Sequence, residues 1–409
     1  MRLAIIADDL TGAMDTGLQC SKQGLETVVS LDWRQVPNTE VAVVDTDSRA
    51  ARASEAYRRL CHVAALVRGR RIYKKVDSTM RGNVGYELRA LCEVLAPRAI
   101  VVAPAFPQGG RTTWRGRQFV EGRPLEQTFF AHDPRWPMTE SHLPTLLMQQ
   151  AGQEIGQIDL EPVEAGPQVL MAALKACPEH IIVVDALEQR HLRTLAQTLI
   201  NLGPEWLPCG SAGLAEAWVE ALGIARPPRP CPPPPLAKPV LVVSGSRNDA
   251  TLAQIRAARR ILALPQVDLD AQNFYDTERE VTRLASACLN HLRQGRDVIL
   301  TTSFSPLVAG ASSLVARILA EATAHILRGA GVAGLFITGG DIAVQICRVL
   351  EVRALRILDE LQPGIPGGKL VGGPFEGLRV VTKAGGFGNE RALLEALLYL
   401  HGQLKSATT

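Results

Sequence analysis

Residues 3–17, Leu3-Ala-Ile-Ile-Ala-Asp-Asp-Leu-Thr-Gly-Ala-Met-Asp-Thr-Gly17, form the stretch from which the fold of this chain is inferred. The apolar run from Leu3 to Ala7 predicts a strand that is buried on both faces, and a helical pattern begins shortly after it. Two adjacent carboxylates, Asp8 and Asp9, lie at the end of this strand. In an open α/β sheet that end faces the crevice where ligands bind. The pair is therefore a candidate for chemistry.

Two neighbouring carboxylates repel each other, so the fold must offset their charge with a cation, a helix N-terminus or a polyhydroxy ligand. Asp is also a common residue at the N-cap of a helix, and capping would explain one member of the pair. Capping does not explain both. We therefore predict that Asp8 and Asp9 have a functional role together.

The length and composition predict a soluble enzyme of two domains. A chain of 409 residues is too long for one ordinary core, and 46% hydrophobic with 21% charged residues is typical of globular enzymes. The net charge of +3 gives no indication of a nucleic-acid surface. The eight cysteines occur singly, and no apolar stretch is long enough to span a membrane, so we predict a cytoplasmic protein with no zinc site. A homodimer is one of the oligomeric states that the sequence allows.

Short apolar runs alternate with helical periods along the chain, which predicts mostly parallel sheets flanked by helices. Because prolines cannot donate the hydrogen bonds of a helix or sheet interior, residues 226–239 are predicted to be a linker. We expect two α/β lobes, over residues 1–225 and 240–409, with the active site in the interdomain cleft. The predicted strands are residues 3–7, 27–31, 41–44, 71–73, 99–103, 180–184, 240–243, 267–269, 297–300, 334–337, 354–358 and 378–381.

Polar segments follow three further strands of the first lobe: Asp45-Thr-Asp-Ser-Arg49, Lys74-Lys-Val-Asp-Ser-Thr-Met-Arg-Gly-Asn83 and Pro104-Ala-Phe-Pro-Gln-Gly-Gly-Arg111. They are expected to meet Asp8 and Asp9 at one edge of the sheet. Acids and amides there can bind vicinal hydroxyls, while Lys75, Arg81 and Arg111 can bind a carboxylate. The combination predicts a pocket for a small hydroxy acid. For Lys74 and Arg49 taken alone, a solvated loop or a cap is an equally good interpretation.

Glycine-rich segments join a strand to a helix at three points of the second lobe: Val243-Ser-Gly-Ser-Arg247, Ile337-Thr-Gly-Gly-Asp-Ile342 and Lys383-Ala-Gly-Gly-Phe-Gly-Asn389. Glycine permits close backbone approach, and a helix N-terminus offers free N–H groups to a phosphate. Three such segments favour a nucleotide site, although one alone would also suit a structural turn. None matches the Walker A sequence or the dinucleotide fingerprint, which disfavours a P-loop enzyme and a dinucleotide-dependent oxidoreductase.

These motifs resemble those of the four-carbon acid sugar kinase family. The family has an N-terminal sugar-acid-binding domain and a C-terminal nucleotide-binding domain. The resemblance therefore implies ATP-dependent phosphorylation of a terminal hydroxyl of erythronate, threonate or a 3-oxo-tetronate. The motifs occur in the expected order over almost the whole chain: Ala7-Asp-Asp-Leu-Thr-Gly-Ala13, Lys75-Val-Asp-Ser-Thr-Met-Arg-Gly-Asn83, Pro104-Ala-Phe-Pro-Gln-Gly-Gly-Arg111, Thr338-Gly-Gly-Asp341 and Lys383-Ala-Gly-Gly-Phe-Gly388.

The expected site residues follow from these motifs. Asp8 and Asp9 would align the substrate hydroxyls, with Asp9 as the base, and Arg81 would assist catalysis. Mg²⁺ would arrive with ATP, held mainly by phosphate oxygens and water, so no protein metal site is expected. The expected substrate-binding set is Asp8, Asp9, Lys75, Asp77, Ser78, Arg81, Gln108 and Arg111. The resemblance implies ATP contacts at Ser244, Gly339, Gly340, Asp341, Ile342, Gly385 and Gly386.

Within the family, the run Met14-Asp-Thr-Gly-Leu-Gln19 favours D-threonate as substrate, with D-erythronate second and a 3-oxo-tetronate 4-kinase as the alternative. The chain departs from the family pattern at two points. It has Gly339-Gly-Asp-Ile342 where the family often has Gly-Gly-Glu-Thr, and Lys383-Ala-Gly-Gly where the family often has Lys-Ser-Gly-Asn. These departures support one further alternative, a non-catalytic sensor of sugar acids.

Overall fold

The computed structural model describes residues 2–133, 136–227, 238–270, 276–302, 304 and 310–403. The chain divides into two compact units, Met1–Pro228 and Arg229–Thr409. Most of the predicted linker, residues 228–237, lies outside the described residues. Within the described part of the chain, no helix combines the length and the apolar composition that a membrane crossing needs.

The first unit contains a parallel sheet and a small antiparallel sheet. Its strands are β1 (Leu3–Ala7), β2 (Thr27–Ser30), β3 (Val41–Asp45), β4 (Arg71–Lys75), β5 (Ala99–Ala103), β6 (Arg111–Trp114), β7 (Arg117–Val120), β8 (Arg123–Pro124), β9 (Gly156–Ile158), β10 (Ile181–Val184) and β11 (Trp206–Gly210). The parallel sheet has the order β2-β3-β1-β4-β11-β5-β10-β9, and the antiparallel sheet has the order β6-β7-β8. The predicted α/β class is therefore confirmed for this unit.

Helices cover the parallel sheet because each presents an apolar stripe to it. In α7, for example, Leu192, Leu195 and Leu199 recur at helical spacing and are buried. The helices of the first unit are α1 (Leu10–Lys22), α2 (Ala53–Leu66), α3 (Val84–Leu95), α4 (Leu143–Ala151), α5 (Leu160–Glu164), α6 (Pro167–Ala176), α7 (Gln189–Leu202) and α8 (Ala212–Ala221).

Three features of the first sheet differ from the sequence-based expectation, because the edge strand β9 and the strand β11 were not predicted and β4 is longer than predicted. The strand β11 was not predicted, because Pro208 lies in its centre and proline is usually excluded from interior strands. It nevertheless lies between β4 and β5. The strand β4 also extends two residues beyond the predicted run, so Lys74 and Lys75 belong to the strand rather than to the loop after it.

The second unit has a sheet of seven strands among its described residues, in the order β13-β14-β12-β15-β18-β17-β16. The first five strands are parallel, whereas β17 runs antiparallel to both neighbours and was not predicted. Its sequence, Ile365-Pro-Gly-Gly, is rich in poor strand formers. The elements are β12 (Val240–Ser244), α9 (Asp249–Leu262), β13 (Gln266–Asp268), α10 (Thr277–Leu292), β14 (Val298–Thr301), α11 (Ser312–Gly329), β15 (Gly334–Thr338), α12 (Gly340–Val349), β16 (Ala354–Gln362), β17 (Ile365–Val371), β18 (Arg379–Lys383) and α13 (Ala392–Leu400).

Candidate functional site

The strands of the first unit end in register at one edge of the sheet. Ala7 at the end of β1 is paired with Asp45 of β3 and with Lys75 of β4, and Gly210 of β11 is paired with Lys75 and Ala103. The segments that follow β1, β3, β4 and β5 therefore begin side by side, as the sequence pattern predicts.

At this edge Asp8 and Asp9 are joined by one arginine, Arg49. Its Nε and Nη2 donate to the two oxygens of Asp8 at 2.7 and 2.9 Å. Its Nη1 and Nη2 donate to the two oxygens of Asp9 at 2.7 and 2.9 Å. The cation that offsets the paired carboxylates is therefore part of the protein, and a planar guanidinium is suited to such a double contact.

The two carboxylates have different environments. The Asp8 side chain is 2% exposed, whereas that of Asp9 is 28% exposed and also accepts a hydrogen bond from the Gly12 amide at 2.9 Å. Asp9 is thus the N-cap of α1, as expected for one of the pair. Burial raises the pKa of Asp8, but Arg49, Lys74 and Lys75 outweigh it and the net pKa is lowered. Burial also raises the pKa of Asp9, and there Arg49 only partly offsets burial and the Asp8 charge.

The segment after β4 forms a second charged cluster. Arg81 donates from Nε to Asp77 at 2.7 Å and from Nη1 to Asp133 at 3.2 Å, and its guanidinium lies 5.0 Å from the Phe130 ring centre. Burial raises the pKa of Asp77, but Arg49 and Arg81 lower it well below its ordinary value. Arg81 is therefore engaged with carboxylates of the protein itself. The adjacent Ser78 is half-buried, and its carbonyl accepts from Gln118 Nε2 at 2.7 Å.

Lys75 lies beside the acidic pair. A Cβ placed on Gly12 would lie 2.7 Å from both Asp9 Oδ1 and Lys75 Nζ, so the absence of a side chain at Gly12 lets these groups approach. Lys75 is buried, and its ammonium donates to the Val76 carbonyl at 2.8 Å. It has no other hydrogen-bond acceptor among the described residues.

The remaining two predicted substrate ligands lie after β5. Gln108 is exposed in a short 3-10 helix, Pro107–Gly109, and Arg111 begins β6 and donates to the Gly109 carbonyl. In the part of the chain that the structure describes, neither side chain forms a hydrogen bond or ion pair with Asp8, Asp9 or Arg49. The structure therefore does not connect them directly with the acidic pair.

Arg49 is the residue that sequence reasoning undervalued. Its segment is held over the acidic pair by backbone contacts, since the Ser48 and Arg49 amides donate to the Asp8 carbonyl at 3.0 and 3.1 Å. Asn83 anchors the same segment by donating to the Ser48 and Ala51 carbonyls at 2.8 and 2.9 Å. The sequence signal for this role was an arginine shortly after the end of β3, the strand that pairs with β1.

In the second unit, four strands of the sheet also end in register. Ser244 of β12 is paired with Thr301 and Thr338, and Thr338 is paired with Lys383 of β18. Ser244 is fully buried, so its side chain does not reach the surface. Ser246, two residues later, is half-buried and lies next to Gly385. Ser246 is a second residue that the sequence analysis did not select.

The predicted glycine turns surround Ser246. Gly339 has φ 110°, a conformation that favours glycine, and it is the N-cap of α12 without a capping side chain. Gly340 and the exposed Asp341 form the first turn of α12. Ile342 is buried, and a Cβ on Gly245 would overlap its Cδ1 atom. The Ile342 side chain therefore packs inside the unit, and only its amide faces the helix N-terminus.

The third turn follows β18. The half-buried Gly385 approaches Ser246 so closely that a Cβ on Gly385 would clash with the Ser246 hydroxyl. Gly386 is exposed, and a Cβ there would lie 3.6 Å from Asn248, an ordinary contact distance. Within the described residues, neither glycine amide has a hydrogen-bond acceptor. The turn thus presents the free N–H groups of Gly385 and Gly386, which suit a phosphate, whereas the Gly339 amide at the start of α12 donates to the Lys383 carbonyl at 3.2 Å.

Two family models match the chain. One, described as a sugar-binding N-terminal domain, matches residues 3–218, and the other, described as a nucleotide-binding C-terminal domain, matches residues 241–393. Asp8, Asp9 and Arg49 lie within the first match, and the three glycine turns lie within the second. The solved structure of a Salmonella typhimurium LT2 protein has the same fold, with a TM-score of 0.82 at 24% identity over 97% of this chain and 98% of that chain.

Relatives that are named as sugar-acid kinases match nearly the whole chain. A D-threonate kinase of Salmonella typhimurium is 35% identical, and the match covers 98% of this chain and 98% of that protein. A D-erythronate kinase of Heliobacterium modesticaldum is 31% identical, and the match covers 99% and 98%. With both domain models and these relatives in agreement, the chain belongs to the four-carbon acid sugar kinase family.

Proposed function

We propose that this protein is an ATP-dependent kinase that phosphorylates the C4 hydroxyl of D-threonate, with D-erythronate as its second substrate. The observation that carries the proposal is the pair Asp8 and Asp9, bridged by Arg49 at the ligand edge of the sugar-binding domain. The names of the related kinases support the choice of four-carbon acid. Because phosphoryl transfer depends mainly on positioning and charge, fixed acids and donors are the expected machinery.

We assign the role of base to Asp9. It is the more exposed of the two acids, and its raised pKa makes it the better proton acceptor. Asp8 is buried and kept ionised by Arg49, so its role is to orient Arg49 and a substrate hydroxyl. The free N–H groups of Lys75 lie next to Asp9 and are proposed to bind the substrate carboxylate.

Arg81, Asp77 and Ser78 are proposed to form the wall of the sugar-acid pocket. Because Arg81 is already paired with Asp77 and Asp133, we propose that it holds this wall in place. The predicted roles of Gln108 and Arg111 in binding the substrate stay predictions.

We propose that the phosphates of ATP bind to the amides of Gly340, Ile342, Gly385 and Gly386. The contacts of Gly339 and Asp341 with ATP stay predictions, since the Gly339 amide already donates to the Lys383 carbonyl at 3.2 Å. The close approach of Gly385 to Ser246 fits such a ligand, and so does the N-terminus of α12, which has no capping side chain. Mg²⁺ bound to ATP would neutralise phosphate charge. Among the described residues, no group of three or more acids, histidines or cysteines could hold a metal ion.

An assay of ATP consumption with a panel of four- to six-carbon sugar acids tests the proposal. We expect turnover of D-threonate and weaker turnover of D-erythronate, and a loss of at least about 100-fold in kcat for Asp9→Asn. For Arg81→Ala we expect a higher KM for the sugar acid than in wild type, because Arg81 is proposed to hold the pocket wall in place. Turnover of no four-carbon acid would end the proposal, preference for 3-oxo-tetronate would reassign the substrate, and absence of ATP binding in calorimetry would indicate a sensor.

Gly385→Ala and Gly386→Ala form a matched pair that tests the phosphate site. The methyl group at position 385 would displace the Ser246 hydroxyl, so we expect a rise of about tenfold in KM for ATP. The methyl group at position 386 meets only an ordinary contact and should change KM by less than about twofold. The KM for the sugar acid should not change in either variant. An unchanged KM for ATP in Gly385→Ala would argue against the proposed site.

We also propose a cytoplasmic location and keep the homodimer as a prediction. The seven cysteines in the described residues are all free, which suits a reducing compartment. Light scattering after size-exclusion chromatography would measure the mass in solution, and a monomer mass would refute the dimer.

A further inference from the structure

We propose that Lys383 is a positioning residue of the nucleotide site, whose ammonium draws the carbonyl groups of the turn 384–388 to one side and so directs the turn's amides towards phosphate. The inference rests on the proposed function, because it assigns the residue that shapes the proposed phosphate site. It concerns a side chain that lies beneath the turn and makes no phosphate contact of its own.

The contacts of Lys383 Nζ are unusual for a lysine. The residue is 4% exposed at the end of β18, and its ammonium donates to three carbonyls of the turn that follows. These are Ala384 at 3.0 Å, Gly385 at 2.8 Å and Phe387 at 3.1 Å, and Thr251 Oγ1 lies at 3.1 Å. Within the described residues, no carboxylate forms an ion pair with it. A buried lysine with oxygen ligands but no counterion needs an explanation.

Two neighbours on α9 hold the same carbonyl groups. Thr251 Oγ1 donates to the Gly385 carbonyl at 2.8 Å, and Gln254 Nε2 donates to the Phe387, Gly388 and Asn389 carbonyls at 3.0 to 3.1 Å. The carbonyl groups of the turn are thus fixed on the side of Lys383 and α9. The Gly385 and Gly386 amides, by contrast, have no acceptor in the described part of the chain.

This arrangement has a direct consequence for anion binding. A concave row of peptide N–H groups binds anions, and its affinity depends on how firmly the peptides are oriented. Lys383 orients several peptides at once, and its positive charge lies just beneath them. A buried cation without a counterion attracts an anion more strongly than a paired one does, because the surrounding dielectric is low. The arrangement therefore suits an anion, which the proposed function identifies as the phosphates of a nucleotide.

Lys383→Met and Gln254→Met test the inference as a length-matched pair. Calorimetry of each variant with ADP and with adenosine separates the phosphate contribution from that of the base. We expect Lys383→Met to weaken ADP binding at least about tenfold and to leave adenosine binding within about twofold of wild type. Gln254→Met, which removes carbonyl contacts but no charge, should weaken ADP binding about threefold. Lys383→Arg should recover part of the ADP affinity.

A pH series with the wild-type protein provides a test that needs no variant. Burial lowers the pKa of Lys383 to about 8. Among the described residues, no acid of α9, β15 or the turn forms an ion pair with Lys383, and no neighbouring charge contributes to this pKa shift. ADP affinity should therefore fall between pH 7.5 and 9.5 in wild type and stay level in Lys383→Met. Because burial lowers the pKa of Lys383 in the folded state, deprotonation of this residue stabilises the fold over the same range, so its own titration does not unfold the protein.

The outcomes are distinguishable. If the wild-type protein binds no ADP, the proposed function itself fails. If wild type binds ADP and Lys383→Met binds it equally well with the same pH dependence, the inference about Lys383 fails while the proposed function stands. Circular dichroism of each variant verifies that the fold is retained, and loss of the fold in Lys383→Met would leave the wild-type pH series to decide.

Discussion

Replacing Arg49 with methionine is expected to lower kcat/KM by at least about 100-fold, which is the lower end of the rate losses expected when a general base no longer works. The substitution removes four hydrogen bonds to Asp8 and Asp9 and leaves two neighbouring acids without their cation. One of the acids should then retain a proton near neutral pH and cease to act as an acceptor. Steady-state kinetics with the sugar acid and ATP measures the effect.

The same substitution should destabilise the protein by about 3 kcal/mol at pH 8, since a partly buried charge pair loses one partner. Without Arg49 the pKa values of both acids rise in the folded state, so the folded protein binds more protons than the unfolded chain. The stability difference from wild type should therefore shrink as the pH falls from 8 towards 4. Urea unfolding at several pH values would measure this change.

Arg59→Met is the matched control for Arg49. Arg59 is equally shielded, with 19% of its side chain exposed against 20% for Arg49, and it donates to the Thr46 carbonyl of the same segment at 2.9 Å. It has no contact with Asp8 or Asp9 among the described residues. We expect less than about a threefold change in kcat/KM. Similar losses in Arg49→Met and Arg59→Met would show that the segment, and not the bridge between the acids, is what matters.

Replacing Lys74 with methionine is expected to lower the free energy of unfolding by about 3–5 kcal/mol, because it leaves a buried carboxylate without its cation. Lys74 and Glu87 are fully buried, and Lys74 Nζ lies 2.6 Å from Glu87 Oε2. Burial already raises the pKa of Glu87, and removing Lys74 should raise it further. The loss should therefore be largest above neutral pH and smaller in acid. Chemical denaturation at pH 5 and pH 8 would test both points.

The double variant Lys74→Met with Glu87→Gln distinguishes the effect of an unpaired Glu87 charge from the effect of altered packing. Glutamine carries no charge and can still accept the hydrogen bond that the Ser48 hydroxyl donates to Glu87. We expect it to restore stability to within about 2 kcal/mol of wild type, since neutral replacements of buried ion pairs are well tolerated. A double variant no more stable than Lys74→Met alone would show that the pair acts through shape rather than charge.

Local patterns predicted a good part of this protein. Strands such as β1 and β5 are continuous apolar runs, and the helices have a 3.6-residue period, so the α/β class follows from residues near one another in sequence. The alignment of strand ends at one edge also follows from a parallel sheet. The strands β11 and β17 were missed because proline and glycine obscure their local pattern, while neighbouring strands hold them in place.

The sequence by itself determined the fold class, the family and the two groups of polar and glycine-rich segments, because these depend on spacing along the chain. Only the tertiary structure decided which charges meet. Arg49 and Asp8 are 41 residues apart, and Lys383 and Thr251 are 132 apart. Such contacts depend on strand order and on loop conformation, which no local period encodes. The tertiary structure therefore pairs the acids with Arg49 and places Lys383 beneath a glycine turn.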